Sequence, residues 1–224
     1  MNEPNAIPLG VNAAVELSRQ GGALMRACDY AGAGRCFRKG LELEPDNAVL
    51  MIQLGMLYGK LGRGEEALAL FERAVEVDPK QIQGFHQLGI YWSRRCRDDL
   101  AEPMFRRCID LNHRDVQARH QLGMMYARQG DAERAEGMFR RCIDLNHRDV
   151  RARHQLGLLF LSLGREREAG NVFRKILKYD PRNPQALKEL DKLYCLIDAR
   201  RMAEAEAAEE AERAGTAALA AQPD

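Results

Sequence analysis

The stretch FRRCIDLNHRDV occurs twice, at residues 105–116 and 139–150, and the two copies begin 34 residues apart. A fixed period of this length constrains a fold more tightly than composition does. Each period must be one supersecondary unit that buries its apolar face against its neighbours. The period also reaches well beyond the duplicated stretch. Gln-Leu-Gly recurs at 53–55, 87–89, 121–123 and 155–157. Three residues after each glycine stands a large ring: Tyr58, Trp92, Tyr126 and Phe160. Small residues follow at Ala67, Ala101, Ala135 and Ala169, then rings at Phe71, Phe105, Phe139 and Phe173. A compact apolar column, Ala74, Cys108, Cys142 and Ile176, comes next, and Pro79 and Pro181 close two of the units.

Spacings of three and four are those of an α-helix, where such residues share a face. Leu54, Gly55 and Tyr58 therefore lie on one side of a first helix, and Ala67, Phe71 and Ala74 on one side of a second. Gly62, Gly130 and Gly164 mark the turn between them, where a positive φ is easily adopted. Cys96 takes the same position, so that turn is expected to be strained. Composition agrees with helix: Ala, Glu, Arg and Leu dominate, and serine and threonine are confined to Ser18, Ser93, Ser162 and Thr216. The expected fold class is all-α, built from antiparallel helix pairs.

The unit resembles a tetratricopeptide repeat (TPR), most fully over VLMIQLGMLYGKLGRGEEALALFERAVEVDPK at 49–80. The resemblance covers repeats at 14–47, 48–81, 82–115, 116–149 and 150–183, and implies a right-handed superhelical solenoid over 11–197. The first repeat is the most degenerate: Tyr30, Ala33, Phe37 and Pro45 fit, but Gln20 stands where leucine is usual. Residues 184–197 read as a terminal helix covering the last exposed groove. Residues 198–224 read as an acidic Ala/Glu-rich helical extension with a disordered tail, and residues 1–10 as a disordered N-terminus.

Charge is uneven: residues 1–79 carry −3, residues 80–197 carry +8 and residues 198–224 carry −4. The opening MNEPNAIPLG lacks the features of a secretory signal, and no apolar run is long enough to span a membrane. Six cysteines without a CxxC pair suit a reducing compartment. A cytoplasmic location is expected, peripheral to a membrane or organelle only through a partner. No catalytic template is present, and no catalytic, cofactor or metal residues are expected. Equivalent positions in stacked hairpins lie at least ~10 Å apart, whereas zinc needs donors within about 2.0–2.3 Å. Neither the His113, His120, His147 and His154 set nor the cysteines should therefore converge on an ion. Arg119 and Arg153 are expected to lay their stems over the neighbouring helix with heads in water.

In TPR proteins the concave face is lined by first helices, and peptides dock there. The resemblance puts Ile52, His86, His120 and His154 on that stripe, followed by Met56, Ile90, Met124 and Leu158. Beside them run Gln53, Gln87, Gln121 and Gln155, then Lys60, Arg94 and Arg128 as a basic margin. The carboxylate clamp of chaperone-binding members is absent, because Met56, Ile90 and Met124 occupy its asparagine positions. The expected function is a non-enzymatic adaptor or scaffold for an amphipathic or acidic protein segment. If the histidines line the groove, affinity should rise as pH falls through their reference value of ~6.5. Two alternatives stand beside this. One is a self-assembling scaffold that organises an organelle or complex, with the acidic tail able to fold into the groove. The other is an RNA-binding helical repeat, disfavoured because the arginines alternate with aspartates and the rings sit in core columns.

Overall fold

The computed structural model describes residues 9–220. Among them every regular element is a helix: α1 (Leu9–Arg26), α2 (Tyr30–Leu43), α3 (Ala48–Lys60), α4 (Gly64–Val77), α5 (Ile82–Arg94), α6 (Asp98–Leu111), α7 (Val116–Arg128), α8 (Ala132–Leu145), α9 (Val150–Ser162), α10 (Glu166–Tyr179) and α11 (Pro184–Ala220). From α3 to α10 the lengths alternate strictly between 13 and 14 residues, as the period requires. The chain divides into two compact units, 1–125 and 126–224. The first holds three helix hairpins, α1–α2, α3–α4 and α5–α6, and the start of α7. The second holds the end of α7 and the stacked run α8 to α11. The expected disorder at residues 1–8 and 221–224 falls outside the described residues.

Helix starts repeat with the period because a short polar cap does. Asn47, Asp115, Asp149 and Asn183, separated by one or two 34-residue periods, each accept a backbone N–H from three residues on, at 3.0, 2.8, 2.9 and 3.0 Å. Each satisfies one donor that an open helix end would strand. Second helices are capped in the same way by Asp29 and Asp131. Where an arginine replaces the cap, as at Arg63 and Arg165, it instead lies over a ring of the preceding helix, Tyr58 at 4.1 Å or Phe160 at 4.3 Å. Each also pairs with an acid in the following turn, Glu66 or Glu168.

Among the described residues, positive φ collects in the turn column. Gly62, Gly130 and Gly164 have φ of 77°, 78° and 69°, and the equivalent Cys28 and Cys96 are forced to 62° and 57°. A side chain in this left-handed region costs roughly 1–2 kcal/mol, part of which a glycine returns through its greater freedom when unfolded. Cys96→Gly should therefore raise stability by about 0.5–1 kcal/mol, read as a higher urea midpoint at unchanged slope. A lower midpoint would show that the cysteine side chain contributes more than its backbone loses.

The core follows the columns. Ala33, Ala67, Ala101, Ala135 and Ala169 are buried, as are Phe37, Phe71, Phe105, Phe139 and Phe173. Two arginines sit deeper than is usual for their charge. Arg119 and Arg153 are 8% and 6% exposed. Each turns back on the chain, donating to the main-chain oxygen of Asp115 at 2.9 Å and Asp149 at 3.3 Å. That bond replaces part of the hydration the guanidinium gives up. The last helix, α11, runs unbroken from the expected terminal segment into the first residues expected to lack structure. Ala186, Leu190 and Leu193 bury its first turns, and Arg200 pairs with Glu166 of α10 at 2.8 Å. Residues 198–208 are exposed throughout.

Candidate functional site

In the first unit, α3, α4 and α5 enclose an open cleft of about 300 Å³. Met56, Gly59 and Lys60 come from α3, Gly64, Ala67 and Phe71 from α4, and Gln87, Ile90, Tyr91 and Arg94 from α5, with Arg95 just beyond it. Because α3 and α5 are first helices one period apart, equivalent positions face the same opening. Met56 and Ile90 make an apolar floor, and Lys60 and Arg94 stand exposed at the rim. Gly64 leaves room at the back: a Cβ there would lie 2.9 Å from the Arg95 guanidinium.

One wall is rigid. The Tyr91 hydroxyl donates to Glu65 at 2.9 Å, Arg95 donates to the same oxygen at 3.1 Å, and the guanidinium stacks 3.8 Å over the Tyr91 ring. Burial, and after it the bond to Glu65, holds the phenol above its usual pKa, so Tyr91 stays a neutral donor. Arg95 is thus committed. Lys60 approaches only the Tyr30 ring, at 5.9 Å, and Arg94 has no ion pair among the described residues. A cleft with an apolar floor and uncommitted cations at its rim can take an apolar side chain flanked by a carboxylate.

Five of the fifteen residues expected in the groove meet here: Met56, Lys60, Gln87, Ile90 and Arg94. Gln53 is half-buried and its side-chain oxygen accepts from Ser18 at 2.8 Å. Gln121 is half-buried, and Met124 and Arg128 are exposed on α7. On α9, in the second unit, His154, Gln155 and Leu158 are half-buried. A cleft in that unit, lined among others by Arg140, Arg153, Phe160 and Lys175, uses none of those three.

The first stripe requires correction. Ile52, His86 and His120 are 1%, 7% and 4% exposed, and they belong to the packed core. The buried face of a first helix is wider than the Leu, Gly and ring columns alone, so this stripe falls inside it. The expected histidine ladder goes with it. His86 donates from Nε2 to the Asp115 carboxylate at 2.8 Å and packs edge-on to Phe105 at 6.3 Å. Burial lowers the pKa of His154, with a smaller opposing pull from Glu189. A histidine held below its unfolded value contributes stability above about pH 6.5, lost as pH falls through the lower folded value. Replacing His154 with leucine, the residue type of its apolar neighbours, should flatten the stability loss between pH 7 and pH 5 in urea titrations. An unchanged slope would assign that loss to other groups.

The cleft's Tyr91 and Arg95 were not foreseen. Their signal was a departure from the columns: Tyr91 stands where Leu57, Met125 and Leu159 do, and Arg95 where Leu61 and Leu163 do.

Tandem helix hairpins with a cleft between successive first helices define a helical-repeat interaction module. The chain belongs to the tetratricopeptide repeat family: models described as tetratricopeptide repeat match residues 24–88, 116–148 and 150–183, together more than half its length. Among solved structures it is similar to MamA (TM-score 0.65, 23% identity, covering 77% of this chain and 94% of that one). It is also similar to YrrB, "a TPR protein with an unusual peptide-binding site" (TM-score 0.62, 23% identity, 79% and 91%). PilF of Pseudomonas aeruginosa aligns more broadly, with a TM-score of 0.75 at 15% identity over 88% and 89%. Among curated protein sequences, none matches the chain. These likenesses carry the fold. Among the described residues no helix is long and apolar enough to cross a membrane.

Proposed function

We propose that the chain is a non-enzymatic adaptor or scaffold whose first-unit cleft receives an apolar side chain of a partner segment, with acidic residues beside it. The observation that carries this is the pairing of the Met56–Ile90 floor with the uncommitted Lys60 and Arg94 at its rim. Met56 and Ile90 replace the polar clamp that would hold a terminal carboxylate, so the ligand reads as an internal amphipathic stretch. Methionine adapts to varied apolar shapes, which suits a scaffold with several partners. The peptide site named in YrrB is consistent with this use of the fold. Met124, exposed on α7 in the same unit, remains a candidate for contact with a longer segment.

The test is fluorescence anisotropy with a labelled synthetic peptide alternating leucine pairs with glutamates. Met56→Asp should weaken binding about 30-fold, the value of a central apolar anchor worth roughly 2 kcal/mol. The Lys60→Glu and Arg94→Glu pair should weaken it and flatten its salt dependence. Equal binding by the parent and Met56→Asp chains would remove the cleft from the interaction.

A further inference from the structure

Three metal-binding side chains outside the cleft meet in the core of the first unit. His86 comes from α5, Cys108 from α6, and Asp115 from the cap of α7. Their donor atoms all lie within 4.8 Å of one another. They are 7%, 0% and 8% exposed. The columns hid this set: no two of the three are equivalent positions, so a test of equivalent histidines and cysteines misses it. We propose that His86, Cys108 and Asp115 form a buried structural site for a zinc-class divalent cation, bound through imidazole Nε2, thiolate Sγ and carboxylate Oδ2.

The geometry is close to what such an ion needs. Tetrahedral zinc sets N, O and S donors roughly 3.3–3.7 Å apart. The Nε2–Oδ2 separation is 2.8 Å, so the pair opens by a few tenths of an ångström as the thiol closes in. The Cys108 thiol donates to the main-chain oxygen of Ile82 at 3.6 Å, which points its Sγ at the first turn of α5, leaving a fourth position for water. Asp115 keeps its other oxygen on the Ala118 N–H at 2.8 Å, which fixes the carboxylate's orientation.

Charge closes as well. A divalent ion with one thiolate, one carboxylate and a neutral imidazole has no net charge, the form a buried site tolerates best. Without metal the Cys108 thiol is pushed up to about 12, by burial first and Asp115 second. Binding therefore sends the thiol proton to solvent, while the imidazole proton moves from Nε2 to Nδ1. Nδ1 has no protein partner, and Arg119 binds the main-chain oxygen of Asp115. Both features weaken the site relative to a fully supported one. Because the ligands are buried, the ion enters as the helices assemble, and its affinity appears as stability.

The array's own columns supply conservative variants. Ala74 occupies the Cys108 position one repeat earlier, so Cys108→Ala keeps a packed core. Asn47 and Asn183 cap helices from the Asp115 position, so Asp115→Asn keeps the cap and removes the anionic donor. The same three residue types recur at His120, Cys142 and Asp149, so the measurement isolates Cys108. In full-length chain carrying Cys28→Gly, Cys36→Ser, Cys96→Gly, Cys142→Ala and Cys195→Ser, added cobalt(II) should give a thiolate charge-transfer band. That band should vanish on further Cys108→Ala. The natural chain, dialysed against a zinc buffer, should hold one zinc equivalent more than its Cys108→Ala variant and melt higher with zinc than with chelator. Asp115→Asn should lower its zinc affinity at least tenfold. Equal zinc content in the natural and Cys108→Ala chains, or no cobalt–thiolate band when Cys108 is the sole thiol, would overturn the site.

Discussion

A chain carrying Phe105→Ala should lose about 3–5 kcal/mol of stability, and Gly89→Ala about 1–3 kcal/mol. The double variant should lose clearly less than their sum. Phe105 is fully buried, and a Cβ built on Gly89 would lie 2.6 Å from its Cε1, 2.8 Å from Cζ and 2.9 Å from Cδ1. The glycine is thus one half of a contact between first and second helix, with the ring pressed on bare backbone. Truncating the ring opens the space that a methyl at position 89 would fill, so the two changes compensate. The same relation recurs at Gly21 with Phe37, Gly55 with Phe71 and Gly157 with Phe173, at 2.3, 2.5 and 2.6 Å. Urea denaturation of the parent, both single variants and the double gives the coupling term. Additivity within about 0.5 kcal/mol would mean the ring does not hold the glycine's place.

That contact also explains how much of the fold the sequence displayed. Gly, Ala and Phe columns at a fixed interval encode helix-on-helix approach, and each unit touches only its neighbours. Such local information survives in one sequence, and so does the cap column from Asn47 to Asn183. The cleft was legible in part for the same reason. Met56 and Ile90 are equivalent residues on successive first helices, and period alone puts them on one face. What failed was the boundary between buried and open stripes. Ile52, His86 and His120 differ from Met56 and Ile90 by a single helical turn, and only packing against the next hairpin decides which turn is covered. A histidine read as polar is also read as exposed, unless its partner is known. Asp115 is that partner for His86, 29 residues away and in a different column. The Arg119 contact was hidden for a related reason, since its acceptor is main-chain oxygen, which carries no residue identity.

Asp115→Ala should cost about 3 kcal/mol, measured in chelator so that no metal contributes, while Asp115→Asn should cost about 1 kcal/mol or less. Two interactions end on this one buried carboxylate. Oδ1 accepts the Ala118 N–H at 2.8 Å, and a lost cap alone is worth about 1 kcal/mol. Oδ2 holds His86 Nε2 at 2.8 Å, and a hydrogen bond to a charged group adds about 1.5–3 kcal/mol. Alanine removes both and strands a ring that is only 7% exposed. Asparagine keeps the cap, as Asn47 and Asn183 do, and its side chain can still meet the imidazole. At the two equivalent positions in the preceding repeat stand Ile52 and Gln81, an apolar residue and one without a side-chain cap bond. His86→Ile should therefore be tolerated better when combined with Asp115→Asn than with Asp115 intact, because the apolar partner then faces no buried carboxylate. Equal losses for His86→Ile in both backgrounds would show that His86 and Asp115 act independently, and that the 2.8 Å contact contributes little to holding α5 against the start of α7.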